Sequence, residues 1–309
     1  DYQERCPERR ERFPPHLMKR KRSQADKHVM YETSVQNPEW ESKALVRFSK
    51  RYCHKAPTSF REDFCGTALL ACELVRLSKK HTVVGLDLDE ATLEYAREKN
   101  LSQLDDTQRA RLELRCEDVL APSSALQVDV VYALNYSYSV FKTRRVLLDY
   151  FRKLHEQLRT PNGVFVLDAR GGPEAHMERK ESRKQKGFTY IWEQQHFDPV
   201  SHYTLCHIHF KLKDGSTIKK AFSYDWRLWS LPELRELLLD AGFATADVLW
   251  ESSDAEGGGN GVFRRVAKGV ADDAWVVYIV AHKAAGSSAP SAPHRTATAS
   301  LRANAPDPG

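Results

Sequence analysis

The sequence lacks the patterns that mark three large classes of protein. Its six cysteines are scattered over 309 residues and form no CxxC pair. A disulfide framework needs paired cysteines, so we expect reduced thiols in an intracellular, cytoplasmic protein. No apolar run reaches about 18 residues, so no membrane-spanning helix is expected. No GxGxxG string occurs, which disfavours a dinucleotide as ligand.

The length of 309 residues leaves room for one α/β domain with an insertion and two tails. The formal net charge is +5, and much of the positive charge lies in the run KRKR at residues 19–22. Such a run could bind nucleic acid or an acidic surface, but a solvated arm is the commoner outcome. We predict a disordered basic arm over residues 1–25 and a disordered tail over residues 284–309. The chain begins at Asp1, so we expect a fragment or processed form, and a targeting segment remains open.

Residues 58–89 form the clearest structural unit. Residues 58–63 enter as a short strand, CGT makes a turn, and residues 68–77 carry apolar side chains at helical spacing. Residues 82–88 are β-branched and apolar, as in a buried parallel strand. Together these segments fit a βαβ unit, in which an acid after the second strand binds ribose hydroxyls. Asp87 stands at that position.

The string EDFCGTA at residues 62–68 resembles the first motif of class I S-adenosylmethionine-dependent methyltransferases, acid-x-Gly-x-Gly-x-Gly. Glu62 matches the acid and Gly66 the central glycine, whereas Phe64 and Ala68 replace the outer glycines. The resemblance implies S-adenosyl-L-methionine as cofactor and a methyltransferase domain over residues 26–283. The cofactor-binding residues that it implies are Tyr31, Gln36, Arg61, Glu62, Phe64, Cys65, Gly66, Asp87, Leu88, Asp118, Val119, Asn135 and Tyr136.

Several of these residues follow from the family's later features. Asp118 follows the third predicted strand, where the family has an acid that accepts from the adenine amino group. Tyr31 and Gln36 lie in residues 26–56, an expected lid and helix, although an ordinary packing helix is equally compatible.

NYSY at residues 135–138 occupies the place of the Asn/Asp-Pro-Pro-Tyr/Phe motif of amino-methyltransferases. Both prolines are missing, but a tyrosine ring there could face the sulfonium.

The resemblance also implies the fold class. That fold is α/β and Rossmann-like, with a seven-stranded mixed sheet whose last strand is antiparallel. Residues 187–227 alternate in three stretches separated by turns, which predicts an antiparallel β insertion between strand 5 and the following helix. Such insertions cover the acceptor site in small-molecule members of the family. Residues 173–186 are charged and predict a helix or loop.

Methyl transfer from a sulfonium needs alignment and at most one proton transfer, so no nucleophile and no metal are expected. The candidate catalytic residues are Tyr138, His207 and His209. The two histidines share a strand face and could bind a metal, but they lack a third ligand at suitable spacing. Paired strand histidines most often face solvent or a pocket wall. The candidate substrate-binding residues are Tyr138, Arg170, Trp192, Arg227 and Trp229. Such aromatic residues could equally form the core of the insertion.

The sequence therefore predicts an S-adenosylmethionine-dependent methyltransferase that transfers a methyl group in line to a small molecule. One alternative is a nucleic-acid or protein amino-group methyltransferase, motivated by NYSY and the basic arm, for which binding would depend steeply on salt. Another is a binding protein that keeps the fold without turnover, against which Glu62, Asp87 and Asp118 argue. The sequence specifies neither the acceptor nor the oligomeric state.

Overall fold

The computed structural model describes residues 27–53, 55–122, 127–159, 161, 163–253 and 258–285. The predicted basic arm and nearly all of the predicted tail lie outside these residues. Within them, no helix is long and apolar enough to span a membrane.

The elements are numbered in chain order. The strands are β1 (Ser59–Asp63), β2 (Thr82–Asp87), β3 (Leu112–Cys116), β4 (Val130–Ala133), β5 (Val164–Gly171), β6 (Arg179–Gln185), β7 (Phe188–Phe197), β8 (Tyr203–Leu212), β9 (Thr217–Arg227), β10 (Thr245–Ser253), β11 (Gly259–Val266) and β12 (Trp275–His282). The helices are α1 (27–35), α2 (Pro38–Lys50), α3 (Leu69–Leu77), α4 (Glu90–Tyr95, continued by a π-helical turn over Ala96–Asn100), α5 (Asp106–Arg109), α6 (Arg144–Gln157) and α7 (Leu231–Asp240). Short 3-10 turns cover Leu101–Gln103, Ser137–Val140 and Pro173–His176.

The central sheet has the order β3-β2-β1-β4-β5-β12-β10-β11. The first five strands in this order are parallel, and β12 runs antiparallel between β5 and β10. The predicted Rossmann-like mixed sheet with an antiparallel last strand is thus confirmed. The chain reverses its direction of growth across the sheet between β1 and β4. Open α/β sheets bind ligands outside the strand ends at such a point.

An eighth strand, β11, extends the predicted seven-stranded sheet. Its start is rich in glycine, a composition more typical of a loop than of a strand. Instead, the Gly261 N–H donates to Glu251 Oε1 at 2.7 Å. A Cβ at Gly259 would stand 2.5 Å from the Glu251 carboxylate, so the glycine permits the close approach of an edge strand.

Helices cover both faces of the central sheet because their apolar residues recur every three or four positions. In α6, Leu147, Phe151 and Leu154 are all fully buried against one face, while α2 and α3 bury their apolar sides against the other. Each such side chain contributes roughly 1.5–3 kcal/mol through burial. The helix α7 begins with a capping box, in which Ser230 and Glu233 are bonded reciprocally.

The insertion forms a separate sheet of order β6-β7-β8-β9. Its first strand, β6, was wrongly predicted as a helix or loop. The strand lies at the sheet edge with mostly exposed side chains, so its charged sequence carries no apolar alternation to reveal it. The insertion therefore begins at Arg179 rather than at residue 187. Met30 of α1 packs against its apolar face, which brings α1 and the insertion together above the central sheet.

Candidate functional site

The loop after β1 has an unusual backbone. Phe64, Gly66 and Ala68 all lie in the left-handed region, with φ values of 60°, 52° and 55°. These are the three glycine positions of the motif, so the loop shape is kept although two of the residues carry a side chain. A residue other than glycine costs about 1–2 kcal/mol in this region. The loop therefore holds strain at Phe64 and Ala68.

Ala68→Gly is expected to change the free energy of unfolding by less than about 1 kcal/mol. Relief of left-handed strain offsets the lost methyl burial of about 0.8 kcal/mol and the added freedom of the unfolded chain. Ala71→Gly is the matched control, because Ala71 is equally buried but has helical backbone in α3. It should cost about 1–2 kcal/mol in urea denaturation. Equal losses in the two variants would contradict the strain at Ala68.

The centre of the loop leaves space above it. Apart from Gly66 and its two chain neighbours, no described residue has a heavy atom within 4 Å of the point where a Cβ of Gly66 would stand. The Gly66 N–H donates to Asp87 Oδ2 at 2.7 Å, and Asp87 Oδ1 accepts from the Asp89 N–H at 3.0 Å. A carboxylate has about four acceptor positions, so Asp87 keeps acceptor capacity for a ligand. Thr67 Oγ1 is buried without a hydrogen-bond partner among the described residues.

Two neighbouring strand ends continue this surface. Leu88 follows β2 and is 69% exposed, which is unusual for a leucine beside a buried sheet. Asp118 follows β3 and accepts from the Leu120 N–H at 2.9 Å, while Val119 is buried. Cys65 is buried and fixes the loop to β2 by donating its N–H to the Leu86 carbonyl at 2.9 Å. The predicted residues thus lie together along the carboxyl ends of β1, β2 and β3.

The end of β4 is held by a buried carboxylate. Asn135 and Tyr136 both have left-handed backbone, and their N–H groups donate to Asp168 Oδ2 and Oδ1, each at 2.9 Å. Burial raises the pKa of Asp168 to about 7, although these two bonds favour its charged form. Tyr136 lines a cleft between α1, the ends of β4 and β5, and the insertion, but Tyr138 does not. Its ring is buried, and its hydroxyl donates to the Asp168 carbonyl at 2.9 Å, so a catalytic or substrate-binding role for Tyr138 is not supported.

A cleft of about 870 Å³ opens between α1, the ends of β4 and β5, and the insertion. Its aromatic lining residues are Tyr31, Tyr136, Tyr190, Trp192, Tyr224, Trp226, Trp250 and Trp275. Arg170 also lines it. Trp226 stacks on Tyr224 with 4.3 Å between ring centroids. The volume suits a small organic molecule, because ligand pockets usually measure about 300–1,000 Å³.

The helix α1 supplies one wall of the cleft. Tyr31 lines the cleft, and its hydroxyl forms a hydrogen bond with Tyr224 of the insertion. Ser34 Oγ and Gln36 Oε1, near the end of α1, are buried and have no hydrogen-bond partner among the described residues. Unsatisfied buried oxygens are rare in folded proteins and often indicate a ligand or water that completes them.

Two glutamates complete the charged part of the site. Glu62 is buried and accepts from the Tyr132 hydroxyl at 3.1 Å, and burial raises its pKa well above the usual range. Burial, followed by the neighbouring Asp168 charge, raises the pKa of Glu41 to about 7. Sequence reasoning missed Glu41. It stands three and four residues before the buried Ala44 and Leu45, so helical spacing could have placed it on the inner face of α2.

Arg61 does not join the site. Successive side chains in a strand point to opposite faces, so Arg61 faces away from Glu62. Its side chain is completely buried, and its Nε donates to Asp63 Oδ1 at 2.7 Å. The Tyr150 hydroxyl of α6 donates to Asp63 Oδ2 at 2.8 Å. The prediction of a cofactor-binding side chain at Arg61 is therefore corrected to a buried ion pair beneath α6.

His207 and His209 also lie away from the cleft. Ile208 between them lines the cleft, so the histidines occupy the opposite face of the insertion sheet. His207 bonds Ser223 Oγ at 2.8 Å and Gln195 Oε1 at 2.9 Å. His209 bonds Glu193 Oε2 at 2.7 Å, and its Nδ1 accepts the Lys220 N–H at 3.1 Å. Both rings are satisfied within the fold, and the described residues hold no cluster suited to a metal.

The other substrate candidates divide into two groups. Arg170 and Trp192 line the cleft as predicted. Arg227 donates to Glu233 Oε1 at 2.8 Å, and its guanidinium lies 3.8 Å from the Trp229 ring centroid. The Trp229 N–H donates to the Phe141 carbonyl at 3.1 Å. Arg227 and Trp229 thus brace the start of α7 and do not line the cleft.

Comparisons with known proteins concern the domain and the fold. Residues 63–167 match the family model described as a methyltransferase domain. No protein in the comparison with curated sequences matches the chain. The fold resembles an S-adenosylmethionine-dependent methyltransferase from Clostridium acetobutylicum ATCC 824, with a TM-score of 0.61 and 17% identity over 84% of this chain and 98% of that one.

Two further solved structures show the same fold. The CcbJ methyltransferase from Streptomyces caelestis has a TM-score of 0.62 and 18% identity over 82% of this chain and 98% of that one. CalS10, an amino pentose methyltransferase from Micromonospora echinaspora, has a TM-score of 0.58 and 14% identity over 83% and 95%. Residues 63–167 thus match a methyltransferase domain, and the solved structures share the fold of this chain.

Proposed function

We propose that the chain binds S-adenosyl-L-methionine along the ends of β1–β4 and transfers its methyl group to a small molecule in the cleft. The observation that carries the proposal is the open space above Gly66, bordered by the Asp87 carboxylate. Asp87 would accept from the ribose hydroxyls and Asp118 from the adenine amino group, while exposed Leu88 would cover one face of the ring.

The rest of the proposed cofactor site uses groups that lack partners. Three buried oxygens have no hydrogen-bond partner among the described residues: Ser34 Oγ, Gln36 Oε1 and Thr67 Oγ1. A polar ligand that bonded to them would remove the free-energy cost of burying an unsatisfied polar atom. Glu41 and Glu62 would lie near the positive part of the ligand. Its charge would favour the ionised form of both carboxyl groups and so offset the burial that raises their pKa. These residues fit S-adenosylmethionine better than a dinucleotide, since no GxGxxG loop is present to bind a pyrophosphate.

S-adenosylmethionine supplies a methyl carbon that its sulfonium already activates. The chain's own part is therefore to hold the acceptor in line with that carbon and to exclude water, and such alignment can contribute about 7–11 kcal/mol. Asp168 fixes the backbone of Asn135 and Tyr136 at the junction of β4 and the cleft. Tyr136 would then present its ring beside the positive sulfur. No histidine is among the described residues that line the cleft.

A small acceptor is favoured over nucleic acid or protein by the shape of the cleft. The insertion and α1 cover the strand ends, and aromatic rings line the space between them. A macromolecular acceptor would need an open approach to this position, and the basic run that motivated the alternative lies outside the described residues. We therefore place the acceptor among small molecules with an aromatic or otherwise apolar body.

Transfer of a labelled methyl group tests the acceptor class. The purified chain is incubated with methyl-labelled S-adenosylmethionine and a cell extract that has been split into small-molecule, nucleic-acid and protein fractions. We expect label in the small-molecule fraction alone, and an Asp87→Ala variant serves as the inactive control. Label in nucleic acid or protein would contradict the small-molecule assignment, and label in no fraction would contradict turnover.

The raised pKa values of Glu41 and Asp168, both about 7, predict a pH dependence of ligand binding. Affinity for S-adenosylmethionine should rise severalfold between about pH 6 and about pH 8, because both carboxylates then become charged near the sulfonium. S-adenosylhomocysteine lacks that positive charge and should show a shallower rise. Calorimetry at several pH values measures both slopes, and equal slopes would place the two carboxylates away from the sulfonium.

The same pKa values determine how the stability of the ligand-free chain changes with pH. A carboxyl group whose pKa is raised in the folded state keeps its proton after the unfolded chain has lost one near pH 4. The free energy of unfolding should therefore fall as pH rises from about 4 to about 7, as far as Glu41 and Asp168 determine it. Thermal melts in the absence of ligand measure this trend.

A further inference from the structure

Arg170 is a charged residue of the cleft that methyl transfer by itself does not require. It follows Asp168 at the end of β5, is half-buried and lines the cleft. Its guanidinium carbon lies 5.4 Å from the ring centroid of Trp192 and 6.0 Å from that of Trp226. Tyr136 lies 5.9 Å away. Arg170 is thus a cation surrounded by aromatic side chains.

This cation has no carboxylate partner in the described part of the chain. Its Nη2 donates to Gln194 Oε1 at 3.1 Å and approaches Cys206 Sγ at 3.8 Å, and both of these acceptors are uncharged. Gln194 is held rigidly, because its Nε2 donates to the carbonyls of Ala175 at 2.9 Å and Met177 at 2.6 Å. The fold thus positions the guanidinium without neutralising it. A half-buried charge of this kind is costly unless a ligand supplies the opposite sign.

The acidic residues that line the cleft do not neutralise Arg170. Glu174 and Glu181 both pair with Arg179 of β6. The remaining acidic lining residues are Glu251, Asp272 and Asp273. They come from β10 and from the segment before β12, and none forms an ion pair with Arg170. The third lining arginine, Arg183, is exposed and lies 4.8 Å from the ring centroid of Tyr190.

We propose that Arg170 is an oxyanion-binding residue of the cleft that takes a carboxylate of the methyl acceptor. A planar guanidinium can donate two parallel hydrogen bonds to a carboxylate, and Trp192 and Trp226 would pack against the acceptor's body. This inference rests on the proposed function, because an acceptor must fill the cleft beside the cofactor. The cofactor's own amino-acid carboxylate is the second source of the same chemistry, and the experiment separates the two.

Calorimetry with a matched pair of probes tests the proposal. Indole-3-acetate and its neutral isostere indole-3-acetamide are titrated into the wild-type chain, with and without S-adenosylhomocysteine. The same titrations use Arg170→Gln and Arg179→Gln. Both variants remove one positive charge from the cleft, but Arg179 already has carboxylate partners. S-adenosylhomocysteine and 5′-methylthioadenosine, which lacks the amino-acid part, are titrated separately into all three proteins.

The wild type should bind the carboxylate about tenfold more tightly than the amide, since a charge-assisted bond is lost with the amide. Arg170→Gln should remove this preference and Arg179→Gln should keep it, with S-adenosylhomocysteine affinity unchanged in both. Equal binding of the two probes, or binding of neither at millimolar concentration, would overturn the proposal. So would an Arg170→Gln variant that loses affinity for S-adenosylhomocysteine but not for 5′-methylthioadenosine, because the carboxylate would then be the cofactor's.

The outcomes for the two proposals remain separate. Failure of the wild type to bind S-adenosylhomocysteine would contradict the proposed function, whereas the probe preference is measured in the free chain as well. If Arg170→Gln does not fold, Arg170→Lys keeps the charge without the planar fork. It should retain only part of the preference for indole-3-acetate, and an unchanged preference would overturn the paired geometry.

Discussion

Asp87→Ala should lower the affinity for S-adenosylhomocysteine at least about 100-fold. Each hydrogen bond to a charged acceptor is worth about 1.5–3 kcal/mol, and loss of two ribose bonds corresponds to that factor. The variant also removes the acceptor of the Gly66 N–H, so the loop after β1 loses a hydrogen bond that holds it to the end of β2. Calorimetric titration measures the affinity, and a thermal melt shows whether the variant is folded.

Asp89→Ala is the matched control for this variant. It removes the same charge two residues further on, but the Asp89 carboxylate accepts from the Ala91 N–H at 3.1 Å and the Thr92 hydroxyl at 2.6 Å. It should cost about 0.5–2 kcal/mol of stability as a lost N-cap and leave ligand affinity unchanged. Equal affinity losses in the two variants would indicate a general charge effect and would remove the ribose role from Asp87.

Arg61→Met should lower the free energy of unfolding by about 3–5 kcal/mol. The substitution leaves the Asp63 carboxylate charged and fully buried without its partner, and a buried charge of this kind is strongly destabilising. Urea denaturation measures the loss. At a temperature where the variant remains folded, its affinity for S-adenosylhomocysteine should match that of the wild type.

Arg97→Met is the control for the loss of an arginine ion pair. Arg97 pairs with Glu90 and Glu94 on the surface of α4, where such pairs contribute about 0–1 kcal/mol. A large stability loss in Arg61→Met and a small one in Arg97→Met would confirm that burial determines the cost. If Arg61→Met instead kept its stability and lost ligand affinity, the cofactor-binding role first predicted for Arg61 would be restored.

The sequence predicted the parts of the fold that rest on local pattern. The βαβ unit around Gly66 and the antiparallel insertion follow from periodicity and turn chemistry, whereas the antiparallel last strand was implied by the family resemblance. The strand β6 could not be predicted in this way, because an exposed edge strand such as Arg179–Gln185 carries no apolar alternation. The glycine-rich start of β11 hid a strand for a similar reason, since it carries no apolar alternation and its pairing with β10 is not visible in the sequence.

Some residues of the candidate site were predicted wrongly, because the direction of a side chain depends on the register of its strand. Alternation correctly placed His207 and His209 on one face of β8, but which face meets the cleft depends on how α1 packs against the sheet. The same two-residue period could have separated Arg61 from Glu62, since adjacent strand residues point to opposite faces. Tyr138 was misplaced because the two left-handed residues Asn135 and Tyr136 turn the chain.

The most direct test of the account is calorimetric titration of the purified chain with S-adenosylhomocysteine, with NAD as the control ligand. The space above Gly66 and the position of Asp87 predict one binding site for S-adenosylhomocysteine and no binding of NAD. Binding of neither ligand would contradict the proposed cofactor site. Phe64 and Ala68 would then be evidence that the loop keeps the shape of the motif without its ligand.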